Sequence, residues 1–304
     1  MMRGHLKASR RSRIDVGART IAAAFEPQEM SERDYATVAA FVERVTGIRM
    51  PPHKRTMAQA RLAKRVRALG LSSFEEYVEY TFNHEQGFIE RMHLIDLITT
   101  NTTDFFREAD HFEYLRDTAI PLLRRERPGI GERTPVHVWS AACSTGEEAY
   151  SIAVTLAEVA RQSPPFSFEV VGTDICSRAL ETARRAVYAE DRIAPVAVEL
   201  RKRYFLRSKD RSSGQVRVCP ELRSTVRFGR FNLLSDPIPW EHPMDIVFCR
   251  NVLIYFDQPV QAQVVRRLAR AMRPGGFLFI GHSETLNALD VPFVQAAPTV
   301  YRRA

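Results

Sequence analysis

The sequence predicts an α/β protein in two parts: a small all-helical domain, then a doubly wound, mainly parallel cofactor domain carrying an inserted antiparallel β subdomain. Three observations carry this prediction. From Ser31 to about residue 98, apolar residues recur at helical spacing, with capping residues between the runs. From about residue 134, apolar runs of strand length alternate with helical periods. Between about 190 and 225 that alternation breaks into a hairpin pattern around a polar turn, Ser208 to Gly214. The expected division is a basic, disordered tail over 1–28, a helical domain over 29–98, a linker over 99–133, and an α/β domain over 134–304 with the insert at about 190–225.

In chain order, Ser31 and Asp34 open a first helix whose apolar face holds Tyr35, Val38, Phe41, Val42 and Val45. Pro51-Pro52 ends it and starts a second, over about 53–69, closed by Gly70. Ser73 opens a third, and a fourth covers about 85–98. Residues 99–108 have no periodicity: a polar run precedes Phe105, Phe106 and Arg107. A helix follows over about 110–126, then the turn Arg127 to Gly131. In the α/β domain the expected strands are Val136 onward, Phe168 to Asp174, Val226 to Phe231, Met244 to Cys249, Phe277 to Ile280 and a last antiparallel one at 293–302. Helices are expected at about 177–187 and 258–273, with a turn at Pro274-Gly275-Gly276.

The organising stretch is Val136 to Tyr150. It begins as a strand, passes through six small residues, Ser140 to Thr145, and reaches Gly146 before a helical period starts. Strand, small-residue turn and helix N-terminus make the first β-α unit of a cofactor fold, where backbone N–H groups face a ligand. Ser144 and Thr145 each precede a glutamate by three residues, so either can form a capping box. There is no G-x-G-x-x-G and no P-loop, so phosphate cradling is not expected. Asp174 ends the second strand, 28 residues beyond Gly146, where ribose hydroxyls lie in such folds. A ribosyl ligand without a phosphate loop points to S-adenosylmethionine rather than NAD.

Charge narrows the partners. The formal net charge is +8, but it is local: residues 1–20 carry a net +5, and residues 51–70 carry six cations and no acid. Everything else is slightly acidic. A basic helix face suits an acidic partner through encounter rate, and Arg61, Lys64 and Arg65 are the expected substrate-docking residues. The four cysteines form no C-x-x-C pair and read as small buried residues in a reduced compartment. No apolar run approaches a membrane span, and the basic N-terminus lacks a signal's apolar core. A cytoplasmic protein without membrane insertion is expected.

Several segments resemble one family, the chemotaxis receptor methyltransferases or CheR family. They are Thr100 to Glu108, Trp139 to Tyr150, Gly172 to Ile175, Phe231 to Leu234, Phe248 to Asp257 (Phe-Cys-Arg-Asn-Val-Leu-Ile-Tyr-Phe-Asp) and Gly281 to Glu284. The resemblance runs in order from about residue 30 onward. It implies a Rossmann-like class I S-adenosylmethionine-dependent methyltransferase domain, with S-adenosyl-L-methionine as donor, S-adenosyl-L-homocysteine as product and no metal. The implied acceptors are glutamate carboxylates on the cytoplasmic helical region of chemoreceptors, and a monomer is expected. Carried over by position, Asn101, Thr103 and Arg107 contact the cofactor from the linker; Glu147, Asp174, Asn232, Leu233, Arg250 and Asn251 do so from the main domain. Arg107 and Tyr255 would flank the transfer site and serve catalysis.

The residues suit that chemistry. A glutamate carboxylate is already ionised at neutral pH and needs no general base. Arg107 offers a planar fork for it and Tyr255 a single directed donor. Two rival readings remain: the same fold acting on another protein or on nucleic acid, and a silent cofactor-sensing module. Against an amino-methylating nucleic-acid enzyme, Arg250-Asn251-Val252-Leu253 follows the fourth strand where an Asp/Asn-Pro-Pro-aromatic segment would stand. No nucleic-acid partner is expected.

Overall fold

The computed structural model describes residues 29–304; the basic tail expected over 1–28 lies outside the described residues. Helix α1 (Glu32–Thr46) starts at Ser31, whose hydroxyl accepts the Asp34 N–H, and ends at Gly47 in the left-handed region. α2 (Arg55–Ala68) closes in a Schellman turn: Gly70 N–H donates to the Arg67 carbonyl and Leu71 N–H to the Val66 carbonyl. Ser73 caps α3 (Phe74–Asn83) through the Glu76 N–H, and α4 (Gly87–Ile98) follows. Val38, Val42, Leu62, Val66, Tyr77 and Leu94 fill the core between them.

The second domain holds, among the described residues, ten strands: β1 (Val136–Ala141), β2 (Phe168–Asp174), β3 (Val187–Ala189), β4 (Phe205–Arg207), β5 (Gln215–Val218), β6 (Val226–Arg230), β7 (Met244–Phe248), β8 (Met272–Phe279), β9 (Phe293–Ala297) and β10 (Val300–Arg303). Seven form one sheet in the order β6-β2-β1-β7-β8-β10-β9. Its pairings are parallel except β10 with β8 and with β9. One apolar layer packs helix Glu147–Gln162 on one side of this sheet; another packs helix Gln258–Ala271 on the other. From β1 the chain builds outward through β2 and β6, and from β7 outward through β8. The switch point between β1 and β7 is where such sheets open a ligand crevice.

Four local expectations need correction. The insert is a three-stranded sheet, β3-β5-β4; its first strand, β3, includes Val187, which the periodicity placed at a helix end. Pro274-Gly275-Gly276 is not a turn before a strand but part of β8, which shifts register opposite Met244 and Ile246. A Cβ on Gly276 would lie 2.8 Å from the Asp245 carbonyl oxygen, so this crowded crossing requires glycine. The last segment is a hairpin of two strands, turned at Pro298-Thr299 with Thr299 at φ +55°. The helix within the linker contains a π turn, Leu115–Ala119, in which Ile120 N–H reaches back to the Leu115 carbonyl. Pro121 follows at once, and the wider turn relieves its clash with the preceding carbonyl.

Candidate active site

Between the two domains, at the C-terminal ends of β1, β2 and β7, lies a cleft of about 450 Å³. Its lining brings together Asn101, Thr103 and Arg107 from the linker with Asp174, Arg250, Asn251 and Tyr255 from the α/β domain. The helical domain supplies the facing wall, with Met50, Lys54, Met57 and Arg61.

The linker's odd composition has a structural reason. Phe105 is buried edge-on against Tyr188 and Phe205, at 5.0 and 5.2 Å between ring centroids. Phe106 packs on Phe112, and its N–H donates to the Ser151 hydroxyl at 2.9 Å. Arg192 holds Asp104 at 2.9 Å and bonds the Thr103 carbonyl. The two phenylalanines are thus anchors that leave Arg107 projecting. Its guanidinium is exposed and, among the described residues, makes one long contact, NH1 to the Thr102 carbonyl at 3.5 Å.

The turn after β1 is held from several sides. Ala142 and Ser144 adopt φ +64° and +51°, a conformation non-glycine residues resist, and Gly146 adopts +96°. Ser144 N–H donates to Asp174 Oδ2 and Cys176 N–H to Asp174 Oδ1, each at 2.8 Å. The Ser144 hydroxyl donates to the Asn101 carbonyl, also at 2.8 Å. Burial pushes the Asp174 carboxyl up, and the N–H groups of Cys176 and Ser144 oppose it. Neither expected capping box forms. The cap position is Gly146, where a Cβ would meet the Ala183 Cβ at 2.8 Å, and the Thr145 hydroxyl turns to the Glu147 carboxylate at 2.6 Å.

Arg250 is buried under the cleft and saturated with partners. Its Nε and NH2 donate to Glu108 Oε2 at 3.2 and 2.9 Å, NH1 to Glu148 Oε2 at 3.4 Å, and NH2 also to the Arg107 carbonyl. Asn251 stands at φ +57°; its N–H donates to Glu284 Oε2 at 2.9 Å and its amide to Glu108 Oε1 at 3.2 Å. Burial raises the Glu148 carboxyl, with Arg250 and the Ser140 hydroxyl opposing. Burial also raises Glu284, against the N–H groups of Gly281, Asn251, Ile254 and Leu253.

Apart from Arg61 on the facing wall, the other expected residues sit outside the cleft lining. Glu147 is buried, is not among the residues lining the cleft, and pairs at 2.9 Å with Arg192, which also holds the linker. Asn232 donates to the Val45 carbonyl at 2.7 Å and accepts from Leu234 N–H at 3.0 Å, tying the two domains together. Leu233 belongs to the core under helix Gln258–Ala271. Arg65 grips the buried Glu90 through Nε and NH2, the latter at 2.6 Å, and Arg61 bonds the carbonyls of Ile98 and Thr99 at the end of α4. Lys64 alone of the expected docking trio is exposed and without an ion-pair partner among the described residues. Sequence reasoning missed Glu108, Glu148 and Glu284, and the wall residues Met50, Lys54 and Met57. The glutamates carried a signal, since all three lie within the segments that prompted the family resemblance. The wall residues carried none, because their role exists only across the domain boundary.

Two family models cover nearly all of this. One described as "CheR methyltransferase, all-alpha domain" matches residues 33–99, and one described as "CheR methyltransferase, SAM binding domain" matches residues 101–301. The chain is 39% identical to chemotaxis protein methyltransferase 2 of Pseudomonas aeruginosa, over 90% of this chain and 94% of that one. It is 38% identical to the chemotaxis protein methyltransferase of Escherichia coli, over 90% and 91%. With the chemotaxis protein methyltransferase of Borreliella burgdorferi it shares 34% identity, over 79% and 83%.

Proposed function

The chain belongs to the CheR methyltransferase family, and from that premise we propose that it transfers a methyl group from S-adenosyl-L-methionine to glutamate side chains of chemoreceptors, forming methyl esters. The observation that carries this reading is the convergence of Asn101, Thr103, Arg107, Asp174, Arg250, Asn251 and Tyr255 on one interdomain cleft. The residues suit the donor: a small-residue turn offers close backbone approach, the Asp174 carboxylate faces the cleft for ribose hydroxyls, and Ile48, Met50, Met57 and Ile98 provide apolar wall. When bound, S-adenosylmethionine supplies an electrophilic sulfonium methyl.

The chain's own residues then have three tasks. Arg107, with most of its N–H groups uncommitted, orients the incoming carboxylate. The Tyr255 hydroxyl, which has no hydrogen-bond partner among the described residues, donates to the same group and fixes its second direction. The wall from the helical domain lines the cleft opposite both. Nothing has to accept a proton, because the acceptor is already ionised. Lys64 on the open side of α2, with Lys54 and Arg61 at the cleft, supplies positive charge for acidic receptor helices.

The test is transfer of labelled methyl from S-adenosylmethionine to purified receptor cytoplasmic fragments, followed by alkaline hydrolysis. Alkali-labile label lost on replacing the acceptor glutamates by alanine is the expected result. Alkali-stable label, or label appearing on nucleic acid instead, overturns the reading.

A further inference from the structure

The linker residue next to Arg107 does more than continue the chain. Glu108 sits at φ +57° and Phe106 at φ +54°, so two side-chain-bearing residues in the left-handed region flank Arg107. Such a backbone persists only where surrounding contacts over-determine it. On one side these contacts are the Phe105 and Phe106 anchors. On the other, the side-chain contacts centre on the Glu108 carboxylate, with one more to the Arg107 carbonyl. Its Oε2 accepts from Arg250 Nε and NH2, its Oε1 accepts from the Asn251 amide at 3.2 Å, and Arg250 NH2 returns to the Arg107 carbonyl. One carboxylate thereby joins the linker to the loop after β7, more than 140 positions away in the chain. Burial would raise this carboxyl, but Arg250 and the Asn251 amide outweigh it and hold it below the usual carboxylate range.

We propose that Glu108 is the positioning residue of the site, setting Arg107, Arg250 and Asn251 in one register so that the Arg107 guanidinium meets the acceptor carboxylate. It touches neither donor nor acceptor. It acts through the three residues it holds, and this assignment of its effect on turnover rests on the function proposed above.

Glu108→Gln tests it, because the amide keeps the shape but loses the charge and leaves one acceptor oxygen for donors that come from both Arg250 and Asn251. Calorimetry with S-adenosylhomocysteine needs no receptor; affinity is expected to fall about tenfold as Arg250 and Asn251 lose register. In receptor methylation kcat is expected to fall ten- to hundredfold, roughly, with little change in the receptor KM. The decisive measurement is a double-mutant cycle with Arg107→Ala. If Glu108 acts through Arg107, adding Glu108→Gln to Arg107→Ala costs kcat almost nothing further. Additive losses in a folded double mutant, or unchanged affinity and kcat in Glu108→Gln, overturn the proposal. Should Glu108→Gln not fold, Glu108→Asp, which keeps the charge but cannot span the gap, takes its place with the same expected coupling. A wild-type protein that esterifies no receptor would overturn the functional reading alone, and the calorimetric arm would still decide this one.

Discussion

The floor and the mouth of the cleft are built on opposite plans. On the floor, the Asp174 oxygens accept backbone N–H groups, and Arg250 is bonded to two glutamates and a carbonyl. At the mouth, Arg107 makes one long contact and the Tyr255 hydroxyl none among the described residues. Arg250 cannot greet a new partner without giving up an old one, while each Asp174 oxygen keeps a lone pair for a ligand; both groups define shape and field in advance. Unsaturated donors on a rigid backbone are the ones free to bind. This contrast separates the two arginines that the sequence assigns alike to the cofactor.

The comparison breaks or sharpens with substitution. The largest expected effect is at the mouth: Arg107→Ala lowers kcat for receptor methylation by about 10²–10³-fold, the range for losing one preorganised donor. Its thermal midpoint should stay at the wild-type value, because the side chain packs against almost nothing. A large drop in midpoint instead would erase the distinction between mouth and floor.

Next comes the floor. Asp174→Ala removes both a facing carboxylate and the acceptor of two backbone N–H groups. S-adenosylhomocysteine binding should weaken by about 1.5–3 kcal/mol in calorimetry. Unlike Arg107→Ala, the change should also lower the thermal midpoint, since the strained turn after β1 loses its tether.

The basic helix offers the same comparison in miniature. Arg65 is paired with Glu90, whose side chain is 2% exposed against 29% for Arg65. Arg65→Ala leaves a buried carboxylate without its countercharge, still bonded by the Tyr77 hydroxyl, and should cost about 2 kcal/mol of stability in denaturant unfolding, below the range for a fully buried pair because Arg65 is partly solvated. Lys64→Ala should leave stability within about 0.5 kcal/mol while slowing methylation at low salt and flattening its salt dependence. Equal stability losses for both would dismiss Lys64 as a docking residue.

The last effect appears only in acid. Burial, helped by Arg250, lowers the His111 imidazole from 6.5 to about 4, and its Nε2 meets the Thr299 hydroxyl at 2.7 Å. Between those two values the unfolded chain takes up a proton that the native imidazole does not, so stability falls as pH drops from about 6.5 to about 4. His111→Gln should make the unfolding free energy less steep across that window. An unchanged slope would show that the imidazole titrates normally.

By itself the sequence determined the alternation of elements, the capped ends of α1 and α3, the central β1 turn and Asp174 at the end of β2. Each of these depends on residues within a few positions of one another: period, cap, small side chains, a strand-end acid. The segments carrying the family resemblance were equally local, and they contained Arg107, Arg250 and Tyr255. Local patterns could not say that Arg250 is spent on Glu108 and Glu148, that Arg65 is spent on Glu90, or that Glu147 faces Arg192 rather than the cleft. They could not foresee Met50, Lys54 and Met57 as a wall of the same cleft. Those outcomes belong to tertiary structure, because a charged side chain's role is set by which opposite charge packing brings within reach, and that partner lies 25 to 142 residues away in the chain.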